Sequence, residues 1–159
     1  MRHFAEIFNE EVEKWGIIGL IHDLDYEKYP EQHCSMTKKI LEEEQWPEDY
    51  IHSVVSHGWG ICSEVRPEHK MEKVLYTIDE LTGLVTAAVL VRPSKSILDL
   101  ELKSVKKKWP LKSFAAGANR EVIEKGATML GLDLDTIIQE TIAGMKKAAK
   151  EIELEGTSV

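Results

Sequence analysis

No run of this chain alternates apolar and polar residues with the two-residue period of a half-buried strand. Almost every segment instead repeats its apolar residues at helical spacing, which restricts the fold to an all-α architecture, a bundle of about seven or eight helices. A first piece, Met1 to about Phe8, places Phe4, Ile7 and Phe8 on one side. Asn9 is expected to cap a second helix, with Glu10 and Glu11 in its first turn and Val12, Trp15, Leu20 and Leu24 recurring up to the pair His22-Asp23. Pro30 breaks the chain, and a helix over Glu31 to Gln45 is expected to bury Met36, Ile40 and Leu41, with His33 in its first turn. Pro47 opens a short helix that Gly58-Trp59-Gly60 ends, leaving His57 as its last residue. The longest helix is expected over Glu68 to Val91, followed by others near Asp99 to Lys108, Asn119 to Leu130 and Asp133 to Lys150.

A length of 159 residues fits one domain, expected over 1–152, with 153–159 as a flexible tail. Cys34 and Cys62 form no CxxC pattern, so they read as free thiols in a reducing compartment, and the expected location is cytoplasmic. No segment is apolar for long enough to span a membrane, and the start lacks the layout of a signal peptide. The net charge of −8 disfavours general nucleic-acid binding, which needs a broad basic surface. Between Arg92 and Lys112, however, seven Lys or Arg stand against Asp99 and Glu101. That local basic stretch suits either a solvated helix face or the reception of a small phosphorylated ligand.

Neighbours on a helix point about 100° apart, so His22 and Asp23 share a direction only if something inside wants both. A metal ion is such a partner, and a carboxylate such as Asp23 can bridge two of them. His33 and His57 add imidazoles, which suit Fe, Mn, Co, Ni or Zn better than Mg. Asp79 stands among Leu75, Ile78 and Leu84, and reads either as a solvent-facing residue beside Glu80 or as a buried carboxylate held by a metal. His33 and His57 have their own plain readings, as an exposed helix start and as an imidazole against a helix dipole.

The string Gly19-Leu20-Ile21-His22-Asp23-Leu24-Asp25-Tyr26, the turn Ser56-His57-Gly58, and Tyr76-Thr77-Ile78-Asp79-Glu80-Leu81-Thr82-Gly83-Leu84 together resemble the HD superfamily of metal-dependent phosphohydrolases. The likeness is greatest to its small stand-alone bacterial and archaeal members. It runs from the start to about Lys150 and includes Val91-Arg92-Pro93-Ser94-Lys95-Ser96 and Phe114-Ala115-Ala116-Gly117. The resemblance implies His22, Asp23 and Asp79 as core ligands, His33 and His57 as the extra pair of binuclear members, and one or two divalent ions (Fe, Mn, Co, Ni, Zn or Mg). The superfamily's first His falls upstream of Met1, so the chain reads either as an N-terminally shortened form or as one that has lost that ligand, with His3 a surface residue or else a substitute ligand.

The function so implied is hydrolysis of a phosphomonoester or phosphodiester, in a small metabolite or nucleotide, by metal-activated water. Asp23 and Asp25 carry the catalytic assignments, Asp25 as orienter or general base or else as a loop cap. Arg92 and Lys95 would clamp the substrate phosphate, or else simply end a helix before Pro93. Tyr26 and Trp59 would stack on a base or pack. The alternative function is a non-catalytic HD-like module that binds a nucleotide or partner through an incomplete metal site.

Overall fold

The computed structural model describes residues 1–156. Their secondary structure is all-α: α1 (Arg2–Phe8), α2 (Val12–Ile21), α3 (Ser35–Glu43), α4 (Glu48–Val55), α5 (Lys70–Leu90), α6 (Leu102–Lys108), α7 (Arg120–Leu130) and α8 (Leu134–Lys147). Short 3-10 turns cover Pro30–Gln32 and Ser56–Gly58. Among the described residues there is no strand, and no helix is long and apolar enough to cross a membrane. The chain divides into two compact units, Met1–Tyr76 and Thr77–Val159, where its length alone suggested one domain.

In the first unit α1 packs on α2, α2 on α4, and α3 on α4. Phe4, Trp15, Ile18, Leu41, Ile51 and Val54 are buried, each contributing about 1.5–3 kcal/mol of apolar burial. Asn9 does not open α2 as expected. It closes α1 in the left-handed conformation (φ 55°), which Asn tolerates better than most residues, and the residue before α2 is Glu11. The buried side of α2 is Trp15, Gly16 and Ile18, whereas Leu20 is 81% exposed and Leu24 is exposed as well. The helix expected from Glu31 is interrupted: Cys34 takes φ 64°, and α3 begins only at Ser35, burying Thr37 and Leu41. His33 therefore sits in the connection and not in a helical first turn.

The start of α5 is fixed by two side chains. Glu72 reaches back so that Oε2 accepts from the Glu68 and His69 N–H groups, at 2.6 and 2.9 Å. His69 Nδ1 accepts from Met71 N at 3.2 Å. This is the reciprocal capping arrangement with His in place of Ser or Thr.

In the second unit α6 and α7 pack on α8. Asn119 and Asp133 cap α7 and α8 with their side chains, and Gly131 ends α7 at φ 67°. Of the segment expected as a flexible tail, residues 157–159 lie outside the described residues, and Leu154 makes fixed contacts. That side chain is buried, and its carbonyl accepts from Ile97 N at 2.8 Å.

Candidate metal centre

The first unit brings four of the five expected ligands into one cluster. His22 follows the last residue of α2 in helical conformation, and its Nδ1 lies 2.9 Å from the Gly19 carbonyl. Because a carbonyl only accepts, Nδ1 carries the proton, and Nε2 faces inward, 3.5 Å from Asp23 Oδ2. His57 lies in the 3-10 turn after α4, buried, with Nδ1 against the Val54 carbonyl. Its Nδ1 proton is fixed in the same way.

His33 is held by Asp25. The Asp25 side chain is fully buried; Oδ1 accepts from His33 Nδ1 at 2.8 Å and Oδ2 from the Thr37 N–H at 2.8 Å. Thr37 is in the first turn of α3, so one carboxylate both satisfies an orphan helix donor and directs an imidazole. With its Nδ1 proton committed, His33 also presents Nε2 as a lone pair. Both oxygens of Asp25 are taken and the side chain is fully buried, an arrangement that suits an orienting residue and gives no support to the general-base assignment.

Asp23 stands at the rim of this group, its side chain 44% exposed. Its Oδ1 lies 3.4 Å from His57 Nε2 and 3.5 Å from His33 Nε2, and its Oδ2 lies 3.5 Å from His22 Nε2. Partial burial works to raise the Asp23 carboxyl, but the His57 hydrogen bond and the three imidazoles outweigh it and hold the carboxyl below its ordinary value. His33 Nε2 and His57 Nε2 face each other at 3.1 Å. Two nitrogen lone pairs at that distance repel unless a proton or a cation lies between them.

The donor set fits a divalent transition ion. Two imidazole nitrogens at bond lengths of about 2.0–2.1 Å from one ion, with an angle between right-angled and tetrahedral, stand about 3.1 Å apart, as this pair does. The Cys34 thiol belongs to the same neighbourhood: its Sγ and one ring nitrogen each of His33 and His57 lie within 4.8 Å of one another. Three nitrogens, a carboxylate and a nearby sulfur favour Zn, Fe, Co or Ni over Mg.

Of the other expected residues, Asp79, Arg92 and Lys95 belong to the second unit, and His3, Tyr26 and Trp59 to the first. Asp79 is on α5 in the second unit, partly buried, with its carbonyl accepting from Thr82 Oγ1 at 2.8 Å. Arg92 is also in the second unit, where Nη2 contacts the Asp99 carboxylate at 2.8 Å and Nη1 the Ser104 hydroxyl at 3.3 Å. A substrate phosphate would have to displace Asp99 from that guanidinium. Lys95 is exposed in a left-handed turn (φ 46°). His3, expected on the surface, has a side chain only 14% exposed, edge-on to Phe4. Tyr26 is 56% exposed and stands edge-on to His33 at 5.1 Å, while Trp59 packs on Tyr76 beneath Arg66.

Sequence reasoning missed the thiol pair. Cys34 Sγ and Cys62 Sγ lie 2.9 Å apart, both free, although 28 residues separate them. Burial pushes the Cys34 thiol well up from its usual range, and its hydrogen bond with Cys62 adds to that. The only signal in the sequence was the adjacency of Cys34 to His33. Comparison of the chain with protein-family models, with curated proteins and with solved structures gives no match.

Proposed function

We propose that this chain is a metal-dependent phosphohydrolase of the HD type, acting on a small phosphorylated metabolite or nucleotide. The observation that carries the reading is the inward convergence of three imidazole Nε2 atoms, from His22, His33 and His57, on the Asp23 carboxylate. Each ring has its Nδ1 proton placed by a fixed acceptor, so the arrangement is preset to bind a cation. His22, Asp23, His33 and His57 would hold the ion, and the resemblance to the HD superfamily adds Asp79 to the set.

A divalent ion supplies Lewis acidity toward a phosphoryl oxygen and acidifies water near neutral pH. The protein's part is positional. Asp25 fixes the tautomer and plane of His33, and Thr37 N–H fixes Asp25. Asp23, at the rim, is the carboxylate that solvent and substrate reach first. Tyr26 offers an exposed ring beside His33 on which a nucleobase can stack.

The test combines elemental analysis with turnover. Purified protein should carry stoichiometric transition metal and hydrolyse p-nitrophenyl phosphate or its bis ester, and chelator should abolish the activity. Asp23→Ala should lose the metal. Unchanged metal content in that variant refutes the ligand assignment, and metal binding without turnover of any phosphoester reduces the protein to a binding module.

A further inference from the structure

We infer that Cys34 and Cys62 form a reversible intramolecular disulfide that is coupled to the His33–His57 pair. The two sulfurs already lie 2.9 Å apart. Closing to a disulfide bond needs a movement of about 0.9 Å. Space for the pair is made by Gly58: a Cβ placed there would collide with both Sγ atoms. The Cys62 side is also ordered by its backbone, since the Gly58 carbonyl accepts from the N–H groups of Ile61, Cys62 and Ser63 at 2.9, 2.9 and 3.0 Å. A glycine with no Cβ, a carbonyl that gathers the loop, and a left-handed Cys34 (φ 64°) together bring the thiols face to face.

The two residues differ in access, and that difference orders the steps. Cys62 is exposed and Cys34 is buried. A low-molecular-weight disulfide meets Cys62 first. The Cys62 thiol, losing its proton to solvent, attacks one sulfur of that disulfide and releases one small thiol, leaving a mixed disulfide at Cys62. Cys34, losing its own proton, then attacks Cys62 Sγ and releases the second small thiol. In sum two protein thiols are oxidised to one disulfide, and one small disulfide is reduced to two thiols.

The bond has a direct route to the imidazoles. Cys34 follows His33 in the chain, and Gly58, against which both sulfurs pack, follows His57. Linking Cys34 to the loop after Gly58 therefore draws on the two backbones that set the 3.1 Å separation of the Nε2 atoms. Disulfide formation itself does not rest on the proposed hydrolase activity, so the experiment is run in chelator with no metal present.

Reduced full-length protein is incubated with oxidised glutathione, quenched with acid and alkylated, and its intact mass is read. The expected product is a monomer lighter by about 2 Da, the two thiol hydrogens, with no alkylation and full reversal by dithiothreitol. Cys34→Ser should instead stop at one stable glutathione adduct on Cys62, with Cys62→Ser as the second variant should Cys34→Ser not fold. Accumulation of glutathione on wild-type Cys62, or disulfide-linked dimers, overturns the proposal. The ring proton signals of His33 and His57 should shift on oxidation and return on reduction while those of His69 stay in place. Unmoved His33 and His57 signals in the oxidised protein overturn the coupling.

Discussion

Replacing Asp25 by Asn should invert the proton position on His33. In the wild type Asp25 accepts twice, from His33 Nδ1 and from Thr37 N, with no solvent reaching it. An Asn side chain of nearly the same volume has one acceptor and one donor. If its oxygen keeps Thr37 N, its NH2 faces His33 Nδ1, and two donors cannot share a hydrogen bond. His33 then moves its proton to Nε2, which removes the lone pair that faces His57. Loss of such an orienting partner costs about 10–100-fold in metal affinity, or about 1.4–2.7 kcal/mol. Trading a charged acceptor for a neutral one costs a further ~2 kcal/mol of folding stability. Two-bond proton–nitrogen correlation spectra of the metal-free protein report which ring nitrogen is protonated, and zinc titration calorimetry reports the affinity. A wild-type His33 that carries its proton on Nε2, or an Asp25→Asn protein whose His33 tautomer does not change, would refute the reasoning whatever the affinity does.

Other expectations follow from residues outside the ligand set. Burial favours a raised carboxyl for Glu72, but the Glu68 and His69 N–H groups and His52 outweigh it and hold the group below its ordinary 4.5. The stability it contributes is thus present above that value and lost as pH falls through the lower folded value. Glu72→Gln should cost about 2 kcal/mol at neutral pH by urea unfolding, a deficit that shrinks below pH ~4.5; a deficit independent of pH would contradict the assignment. Gly126→Ala places a Cβ against Thr77 within the second unit, and should destabilise by about 1–3 kcal/mol in urea unfolding; an unchanged stability would contradict that close approach. Arg92→Ala breaks the pairing with Asp99, and its effect should appear in melting temperature more than in KM; a large KM rise with unchanged stability would instead support Arg92 as a phosphate clamp.

The helices were legible because their apolar periods are long and their stops are chemical: Asn119, Gly131 and Asp133 do what their side chains favour. Errors arose where one residue type serves two geometries. Asn is as good at closing a helix in the left-handed region as at opening the next, and at Asn9 the first use won. Leu20 fits the helical pattern of α2 and is nonetheless exposed, because a period identifies a face only when a partner covers it. Glu153 to Val159 looked like a polar tail, but Leu154 within it buries an apolar side chain and pairs its carbonyl with Ile97.

The cluster divides along the same line between local and non-local causes. His22-Asp23 stood out because adjacent imidazole and carboxylate side chains at a helix end are costly to place without a reason. The parts that set its chemistry were hidden, because they depend on atoms that carry no sequence signature. The partner of Asp25 is a backbone N–H twelve residues away, and the acceptors that set the His22 and His57 tautomers are backbone carbonyls. Any residue type at Thr37 other than proline supplies that N–H. Thr37→Val should therefore leave the Asp25–His33 geometry in place while Asp25→Asn destroys it. A Thr37→Val protein with the His33 tautomer inverted would mean that the hydroxyl, and not the backbone, secures Asp25.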